Sequence, residues 1–376
     1  MQPDFWNDKR PAGVPLDIDQ GAYKSVIEVF ERSCKKFADR PAFSNMGVTL
    51  TYAELERQSA AFAGYLQAHT DLVPGDRIAV QMPNVLQYPI AVFGALRAGL
   101  IVVNTNPLYT AREMRHQFKD SGARALVYLN MFGQKVQEVL PDTDIQYLIE
   151  AKMGDMMPTA KGWLINTVVS KVKKMVPAYS LPQAISFKSA LRMGRGLGIK
   201  PLKVSLDDIA VLQYTGGTTG VAKGAMLTHG NMLANLAQVQ SVSGGLMATD
   251  DCVLTALPLY HIFAFTANLL TFFEIGARNI LIPSPRPVQN LQRAIENYPI
   301  TWITGVNTLF NGLLNTPGFD EVDFSHLHLT LGGGMAVQRA VAERWKQVTG
   351  GTLTQAWGLT ETSPAACINR FDAPEF

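Results

Sequence analysis

The sequence predicts an α/β protein built around a parallel sheet that helices cover on both faces. Short apolar strand patterns alternate with helical patterns along most of the chain, and this alternation is typical of parallel sheets. The strands are apolar throughout, as expected where both faces of a sheet are buried. Of the 376 residues, 47% are hydrophobic and 17% are charged. This composition provides a large core and excludes a disordered chain.

The first half of the chain contains three predicted helices and three predicted strands. The helices cover 55–68, 87–98 and 111–119, and the strands cover 77–82, 100–103 and 125–128. The second helix stops at Gly99, because glycine readily takes the left-handed conformation of a helix C-cap. Strand and helix therefore follow each other in the order that a parallel sheet requires.

The alternation resumes after residue 206. Strands are predicted over 209–214, 252–257, 279–282, 301–304 and 327–331, and helices over 231–240 and 337–348. At ~150 residues per domain the chain corresponds to about two domains. We place a first α/β subdomain at 1–205 and a second at 206–376.

The stretch 151–205 is strongly basic. It holds ten lysines and arginines and one acid, Asp155, which gives it a charge of +9 within a chain of net charge +2. Apolar residues from Trp163 to Val176 alternate with the lysines at roughly helical spacing. Such a helix either lies on an anionic membrane or packs its apolar side on the protein with its lysines in water. The sequence leaves both alternatives open.

Several classes of protein are disfavoured by composition. The near-neutral total charge gives no reason to expect nucleic-acid binding. Three widely spaced cysteines indicate a reducing compartment and argue against a zinc module. Residues 1–11 lack the apolar core of a secretory signal, and Arg97 and Glu274 interrupt the most apolar stretches. We expect a cytoplasmic protein, with the membrane surface left open.

A loop rich in glycine and threonine carries the strongest chemical signal. It runs from Tyr214 to Gly224 after a predicted strand and reads YTGGTTGVAKG. Glycines let backbone N–H groups approach an anion closely, and hydroxyl groups add donors. Lys223 adds a point charge suited to phosphate. The loop is not a Walker A motif, because alanine precedes the lysine and glycine follows it.

Three further motifs have both a functional and a purely structural interpretation. His261 lies in the apolar run LPLYHIFAF and is either a site residue or a buried core histidine. The glycines 332–334 either admit a flat ring or form a tight turn. In QAWGLTETSP, Trp357 suits stacking on a base and Glu361 suits Mg²⁺, although a Thr-Glu pair also starts helices.

These motifs together resemble the AMP-forming adenylating superfamily. YTGGTTGVAKGAMLTHGN, LPLYHIF, GVNTLFN, GGGM and WGLTETSP occur in that family's order and approximate spacing. Within it, GVAKGAMLTHGNMLANL and ALPLYHIFAF are similar to bacterial long-chain fatty-acid–CoA ligases. The resemblance covers nearly the whole chain. It implies two parallel-rich sheets covered by helices, as in the large N-terminal domain of the adenylate-forming fold.

The resemblance also implies a reaction. A fatty acid carboxylate attacks the α-phosphate of ATP, giving acyl-adenylate and pyrophosphate, and CoA then forms acyl-CoA and releases AMP. Fatty acid, ATP and CoA are the implied substrates, Mg²⁺ is the implied metal, and a homodimer is one expected assembly. The chemistry rests on positioning and charge neutralisation.

Site residues carry over from the family one by one. The phosphates are held by Thr215, Gly216, Gly217, Thr218, Thr219, Gly220 and Lys223. The nucleoside contacts Gly332, Gly333, Gly334, Trp357 and Gly358, with tryptophan standing where the family commonly has tyrosine. Thr360 contacts the α-phosphate and Glu361 binds Mg²⁺. His261, Phe265 and Val306 border the acyl tunnel, His261 orienting the carboxyl group and Phe265 acting as a gate.

The family pattern continues beyond the Thr-Glu motif with a ribose-binding aspartate, a hinge and a small C-terminal domain that carries a catalytic lysine. We find none of these in the sequence and expect a truncated N-terminal domain that folds but turns over poorly. Two other functions stay open. One is an enzyme that adenylates medium-chain or aryl acids or loads a carrier protein, and the other is a non-catalytic lipid-binding relative.

Overall fold

The computed structural model describes residues 14–19, 21–216 and 221–371. Within these residues the chain forms two sheets, one of seven strands and one of eight, with helices packed around them. Most neighbouring strands are parallel. The predicted α/β class with parallel-rich sheets is therefore confirmed. The expectation about residues 1–11 lies outside the described residues.

The seven-stranded sheet has the spatial order β7-β6-β5-β3-β4-β8-β9, and the eight-stranded sheet has the order β15-β14-β13-β12-β10-β11-β1-β2. The strands are β1 Pro41–Asn45, β2 Val48–Thr51, β3 Arg77–Gln81, β4 Ile101–Asn104, β5 Ala123–Leu129, β6 Tyr147–Ala151, β7 Ile185–Ser186, β8 Ile209–Thr215, β9 Lys223–Thr228, β10 Cys252–Thr255, β11 Arg278–Leu281, β12 Trp302–Gly305, β13 Leu329–Gly332, β14 Leu353–Gly358 and β15 Ala365–Ile368.

Helices connect most of these strands. They are α1 Val26–Lys36, α2 Tyr52–His69, α3 Gln87–Arg97, α4 Ala111–Ser121, α5 Gly133–Val139, α6 Thr159–Thr167, α7 Phe187–Gly194, α8 His229–Ser243, α9 Ile262–Ala264, α10 Phe272–Glu274, α11 Gln289–Asn297, α12 Asn307–Leu314 and α13 Arg339–Thr349. Two π-helical segments, Val168–Val172 and Phe265–Thr271, continue α6 and α9.

The sheets do not follow the predicted boundary between residues 205 and 206. β8 and β9 belong to the same sheet as β3–β7, because β8 pairs in parallel with β4. β1 and β2 belong to the sheet of β10–β15, because β1 pairs in parallel with β11. Alternation along the chain indicates which segments are strands, but it carries no information on which distant strand is the neighbour. The division at 205/206 therefore does not describe the sheets.

Local sequence explains where the helices begin and end. α2 and α4 each start with a capping box, formed by Thr51 with Glu54 and by Thr110 with Glu113. In each box, a threonine hydroxyl and a glutamate carboxylate satisfy backbone N–H groups that have no partner inside the helix. α4 ends at Gly122, whose φ of +57° is the left-handed conformation that favours glycine.

Aromatic packing joins the helices that accompany the two sheets. Phe30 of α1 stacks on Phe93 of α3 with ring centroids 4.2 Å apart, and both rings contact Phe273 of α10. α3 follows a strand of the first sheet and α10 precedes a strand of the second. Burial of these rings therefore holds the two sheets in one core. In the described part of the chain, no helix is both long enough and apolar enough to cross a bilayer.

A buried histidine at the start of α8 makes the fold sensitive to acid. His229 is 4% exposed, and its Nδ1 accepts the backbone N–H of Val26 at 3.2 Å. Burial lowers the pKa of His229 from 6.5 to about 4. The folded state thus binds fewer protons than the unfolded state between pH 6.5 and 4, and stability falls as the pH falls through this window.

The free energy of unfolding falls between pH 7 and 4. We expect this fall to be about 3 kcal/mol smaller in the His229→Asn variant than in the unmodified protein. Asparagine keeps an acceptor for Val26 but takes up no proton. The free energy of unfolding, measured with denaturant at several pH values, tests this. His69→Asn, at an exposed histidine of α2, is the matched control. Equal pH dependence of His229→Asn and the unmodified protein would refute the assignment.

Candidate active site

Most of the predicted site residues line one cavity of about 530 Å³. They come from loops that follow strands of both sheets, where ligands of open α/β sheets commonly bind. The predicted residues on its wall are Thr215, Gly216, Lys223, His261, Gly333, Gly334, Trp357, Gly358, Thr360 and Glu361. Two other cavities, each of about 570 Å³, share only Gly216 with this set.

The base of the glycine-threonine loop is a pair of antiparallel strands. Thr215 at the end of β8 lies opposite Lys223 at the start of β9. This pairing brings both residues to the cavity together with Gly216. Lys223 is exposed and offers an ammonium group of the kind that binds phosphate. The remaining predicted loop residues, Gly217, Thr218, Thr219 and Gly220, lie outside the described residues.

Buried amide groups hold the loop that carries His261. The Nδ2 of Asn84 donates to the carbonyl oxygens of Thr255 and Leu257 at 2.9 and 2.8 Å. The Oδ1 of Asn84 accepts the N–H of Leu259 at 2.8 Å. Asn84 is 2% exposed. These bonds satisfy the backbone where the chain leaves β10, and they fix the path of the loop toward His261.

A second chain of hydrogen bonds joins this loop to the first sheet. Tyr88 donates to Asn104 at 2.6 Å and to the carbonyl oxygen of Leu259 at 2.9 Å. Asn104 donates to Gln213 at 3.0 Å, and Gln213 donates to the carbonyl oxygen of Tyr260 at 3.0 Å. Gln213 lies on β8, two residues before Thr215. The network therefore sets the position of the phosphate loop relative to His261.

His261 is neutral in this setting. Its side chain is exposed to the cavity, and partial loss of hydration against the cavity wall lowers the pKa of the imidazole. Nδ1 accepts the backbone N–H of Phe263 at 3.3 Å and caps α9. With Nδ1 acting as an acceptor, the ring proton lies on Nε2. His261 can thus donate a hydrogen bond without adding a positive charge.

The Thr-Glu motif lies in a tight connection between β14 and β15. Thr360–Thr362 forms one turn of 3₁₀-helix, and Ser363 follows with a left-handed φ of +72°. Gly358 allows the chain to fold back, because a Cβ there would lie 1.8 Å from the carbonyl oxygen of Pro364. This geometry brings Thr360 and Glu361 to the cavity and leaves Trp357, 58% exposed, available for stacking.

Two buried side chains fasten this connection to the rest of the site. Asn235 of α8 donates to the carbonyl oxygen of Ala365 at 2.8 Å and accepts its N–H at 3.1 Å. Thr266 donates to the carbonyl oxygen of Ser363 at 2.7 Å. Neither Asn235 nor Thr266 was predicted as a site residue, although Asn235 falls within the predicted helix 231–240. Asn235 is a polar residue among the apolar residues of the buried face of α8, and this position was the signal that could have indicated a role in the site.

The structure keeps three predicted residues away from the cavity wall. Phe265 is fully buried and is not part of the cavity wall, so its role as a gate stays a prediction. Gly332 ends β13, where a Cβ would lie 2.7 Å from Val337, so its small size serves packing. Val306 is half-buried next to Gly334 and is not part of the wall. The apolar wall is instead built by Val239, Ile262, Phe263, Ala267, Leu331 and Ile368.

The donor set of the cavity suits a metal ion that a substrate also ligates. Among the described residues, no cluster of three His, Cys, Asp or Glu side chains could hold a metal ion alone. Glu361 offers one exposed carboxylate on the cavity wall. Mg²⁺ typically binds one or two carboxylates together with phosphate oxygens. A single glutamate beside a phosphate loop fits that ion when a nucleotide is present.

Comparisons with known proteins agree with this arrangement. A family profile described as AMP-binding enzyme matches residues 30–375. A long-chain-fatty-acid–CoA ligase from Escherichia coli O157:H7 is 53% identical over 369 residues. That match covers 98% of this chain and 66% of the relative, so the chain spans about two thirds of the relative's length.

Two solved structures share the fold. An anthranilate–CoA ligase in complex with anthranoyl-AMP superposes with a TM-score of 0.81 at 19% identity, covering 94% of this chain and 63% of that one. A long-chain-fatty-acid–CoA ligase from Archaeoglobus fulgidus gives 0.78 at 22% identity, covering 96% and 69%. The predicted adenylate-forming fold is confirmed. The family profile matches most of this chain, and the motif residues lie at one cavity. This chain therefore belongs to the AMP-binding enzyme family.

Proposed function

We propose that this chain is the nucleotide- and acid-binding part of a long-chain fatty-acid–CoA ligase. A carboxylate oxygen of the fatty acid attacks the α-phosphorus of ATP, and the bond to pyrophosphate breaks. The thiolate of CoA then attacks the acyl carbon and displaces AMP. The observation that carries the proposal is the convergence of Thr215, Lys223, His261, Thr360 and Glu361 on one cavity wall.

The first step brings two anions together, so the residues must offset their repulsion. Lys223 and the backbone N–H of Gly216 face the cavity where the phosphates bind in this proposal. The hydroxyl of Thr360 donates to the α-phosphate. Glu361 would hold Mg²⁺ together with phosphate oxygens, and the ion would neutralise further charge there. Groups that are already positioned act without reorganisation when charge moves.

His261 positions the acid. Because its imidazole is neutral and carries its proton on Nε2, it donates one hydrogen bond to the carboxylate and leaves the nucleophilic oxygen its negative charge. A cationic histidine would hold the carboxylate more strongly but would weaken it as a nucleophile. His261 is thus a positioning group, and no proton transfer is assigned to it.

The apolar wall supports an acid with a large apolar part as the substrate. Val239 of α8 and Ala267 of the π-helical segment face the same cavity. Each methylene group buried there contributes about 0.8 kcal/mol. The E. coli relative named a long-chain-fatty-acid–CoA ligase is 53% identical, which also favours this substrate class. ATP and CoA are intracellular, so the proposal places the protein in the cytoplasm. The homodimer stays a prediction.

The decisive experiment is ATP–pyrophosphate exchange by the full gene product with saturated acids of increasing chain length. A ligase of long-chain acids exchanges fastest with long acids. A preference for aryl or medium-chain acids would instead support another adenylating enzyme. Absence of exchange with every acid, in a protein that binds ATP, would support a non-catalytic relative.

We expect Glu361→Ala to lower the exchange rate at least ~100-fold, the order of loss for a key electrostatic group. The variant should also bind MgATP no better than ATP without magnesium, because the carboxylate that ligates the ion is gone. Titration calorimetry measures that second effect. Glu343→Ala, at an exposed glutamate of α13, is the matched control. Near-normal exchange by Glu361→Ala would exclude the assigned role.

We expect Val239→Phe to shorten the preferred acid, because the larger ring fills part of the apolar wall. The loss in kcat/KM should be roughly fourfold for each methylene that no longer fits, while short acids react normally. Val239→Ala should leave long acids unaffected. Val73→Phe, at an exposed valine outside the cavity, controls for general effects. An unchanged ranking of acids in Val239→Phe would place the acyl chain elsewhere.

A further inference from the structure

We propose that residues 159–175 form a docking surface for an anionic lipid membrane. These residues comprise α6, the π-helical segment Val168–Val172 and the three residues that follow it. We call them the basic apolar segment. The inference does not depend on the ligase chemistry, because the basic apolar segment contributes no residue to the cavity.

The first observation is the exposure of large apolar side chains. Trp163 is 69% exposed, Leu164 55%, Val172 70% and Met175 45%. Gly162 is the one buried residue between positions 159 and 175. A helix that packed its apolar side on the protein would bury those side chains. Ile165, Val168 and Val169 are half-buried, so the structure opposes only the alternative in which the whole apolar side packs on the body and the lysines alone face water.

The second observation is how the basic apolar segment is attached. Gly154 and Gly162 approach so closely that a Cβ on Gly154 would lie 2.4 Å from the carbonyl oxygen of Gly162. Asn166 accepts the N–H of Gly154 at 2.8 Å, and Lys161 donates to the carbonyl oxygen of Met46 at 2.6 Å. Backbone and polar contacts help to hold the helix in place, so the exposed side chains of Trp163 and Leu164 are not needed for its attachment.

The third observation is charge. Lys171, Lys173 and Lys174 are exposed, and no acidic residue occurs between positions 156 and 206. The stretch 151–205 carries +9 while the rest of the chain carries −7. Such a local excess of lysine next to exposed tryptophan and leucine is typical of helices that lie in the membrane interface.

Charge also distinguishes a membrane from other occupants. A second copy of the chain that docked through the same segment would bring the same positive charge and repel the first. An acidic protein or a nucleic acid would match the lysines but would leave Trp163, Leu164 and Val172 in water or at a polar surface. An anionic bilayer provides negative headgroups and an apolar layer at once, which matches both features.

The test is co-sedimentation of the full gene product with vesicles of phosphatidylcholine alone or mixed with phosphatidylglycerol. We expect binding only to the mixed vesicles, weakening as salt rises. Each lysine near such a surface contributes about fivefold to partitioning, so Lys171→Gln, Lys173→Gln and Lys174→Gln together should weaken binding roughly a hundredfold. The control replaces the exposed Lys24, Lys35 and Lys119 by glutamine, an equal change of charge elsewhere.

A second measurement separates insertion from simple attraction of charges. The emission of Trp163 should shift to shorter wavelength on binding to the mixed vesicles, and the shift should be absent in Trp163→Phe. Equal loss of binding in the two triple variants would overturn the proposal, because only total charge would matter. Binding to the mixed vesicles without an emission shift from Trp163 would also overturn it, because the exposed apolar side chains would then remain outside the bilayer.

Discussion

A chain of buried hydrogen bonds between the two sheets is the constraint on which the active site depends. Tyr88 and Asn104 connect the first sheet to the loop before His261, and Gln213 connects β8 to the same loop. Each of these polar groups would cost free energy if it were buried without a partner. The two sheets therefore have one relative position in which the network is complete. In that position, Thr215 and His261 face the same cavity.

The Thr-Glu connection is fixed by the same principle on the opposite wall. Asn235 pairs with both backbone groups of Ala365, and Thr266 binds Ser363. Both side chains come from helices that also present an apolar face to the cavity, through Val239 and Ala267. Polar and apolar parts of the site are thus carried by the same two helices. A change that moved either helix would alter the apolar wall and the position of Glu361 together.

The sequence predicted the class of fold and most of the site because these depend on local patterns. Apolar strands such as β3 and β8 and the motif residues from Thr215 to Glu361 can be recognised without knowing any contact. Sheet membership could not be predicted, because the pairing of β1 with β11 joins positions far apart in sequence. For a similar reason the sequence did not show that Phe265 and Val306 lie off the wall of this cavity. Whether Phe265 points to the cavity or to the core depends on how the helix after His261 is wound.

That winding recurs in the basic apolar segment, where apolar side chains also face away from the core. The two π-helical segments among the described residues are Phe265–Thr271, beside the cavity, and Val168–Val172, in the basic apolar segment. A π-helical turn takes more residues than an α-helical one, so apolar positions spaced for one buried stripe no longer fall on one face. Some side chains are then directed away from the core. At the cavity these include Ala267, and on the surface they include Val172. In both places a local change of helical pitch accompanies apolar side chains that face a cavity or solvent, within an otherwise regular α/β fold.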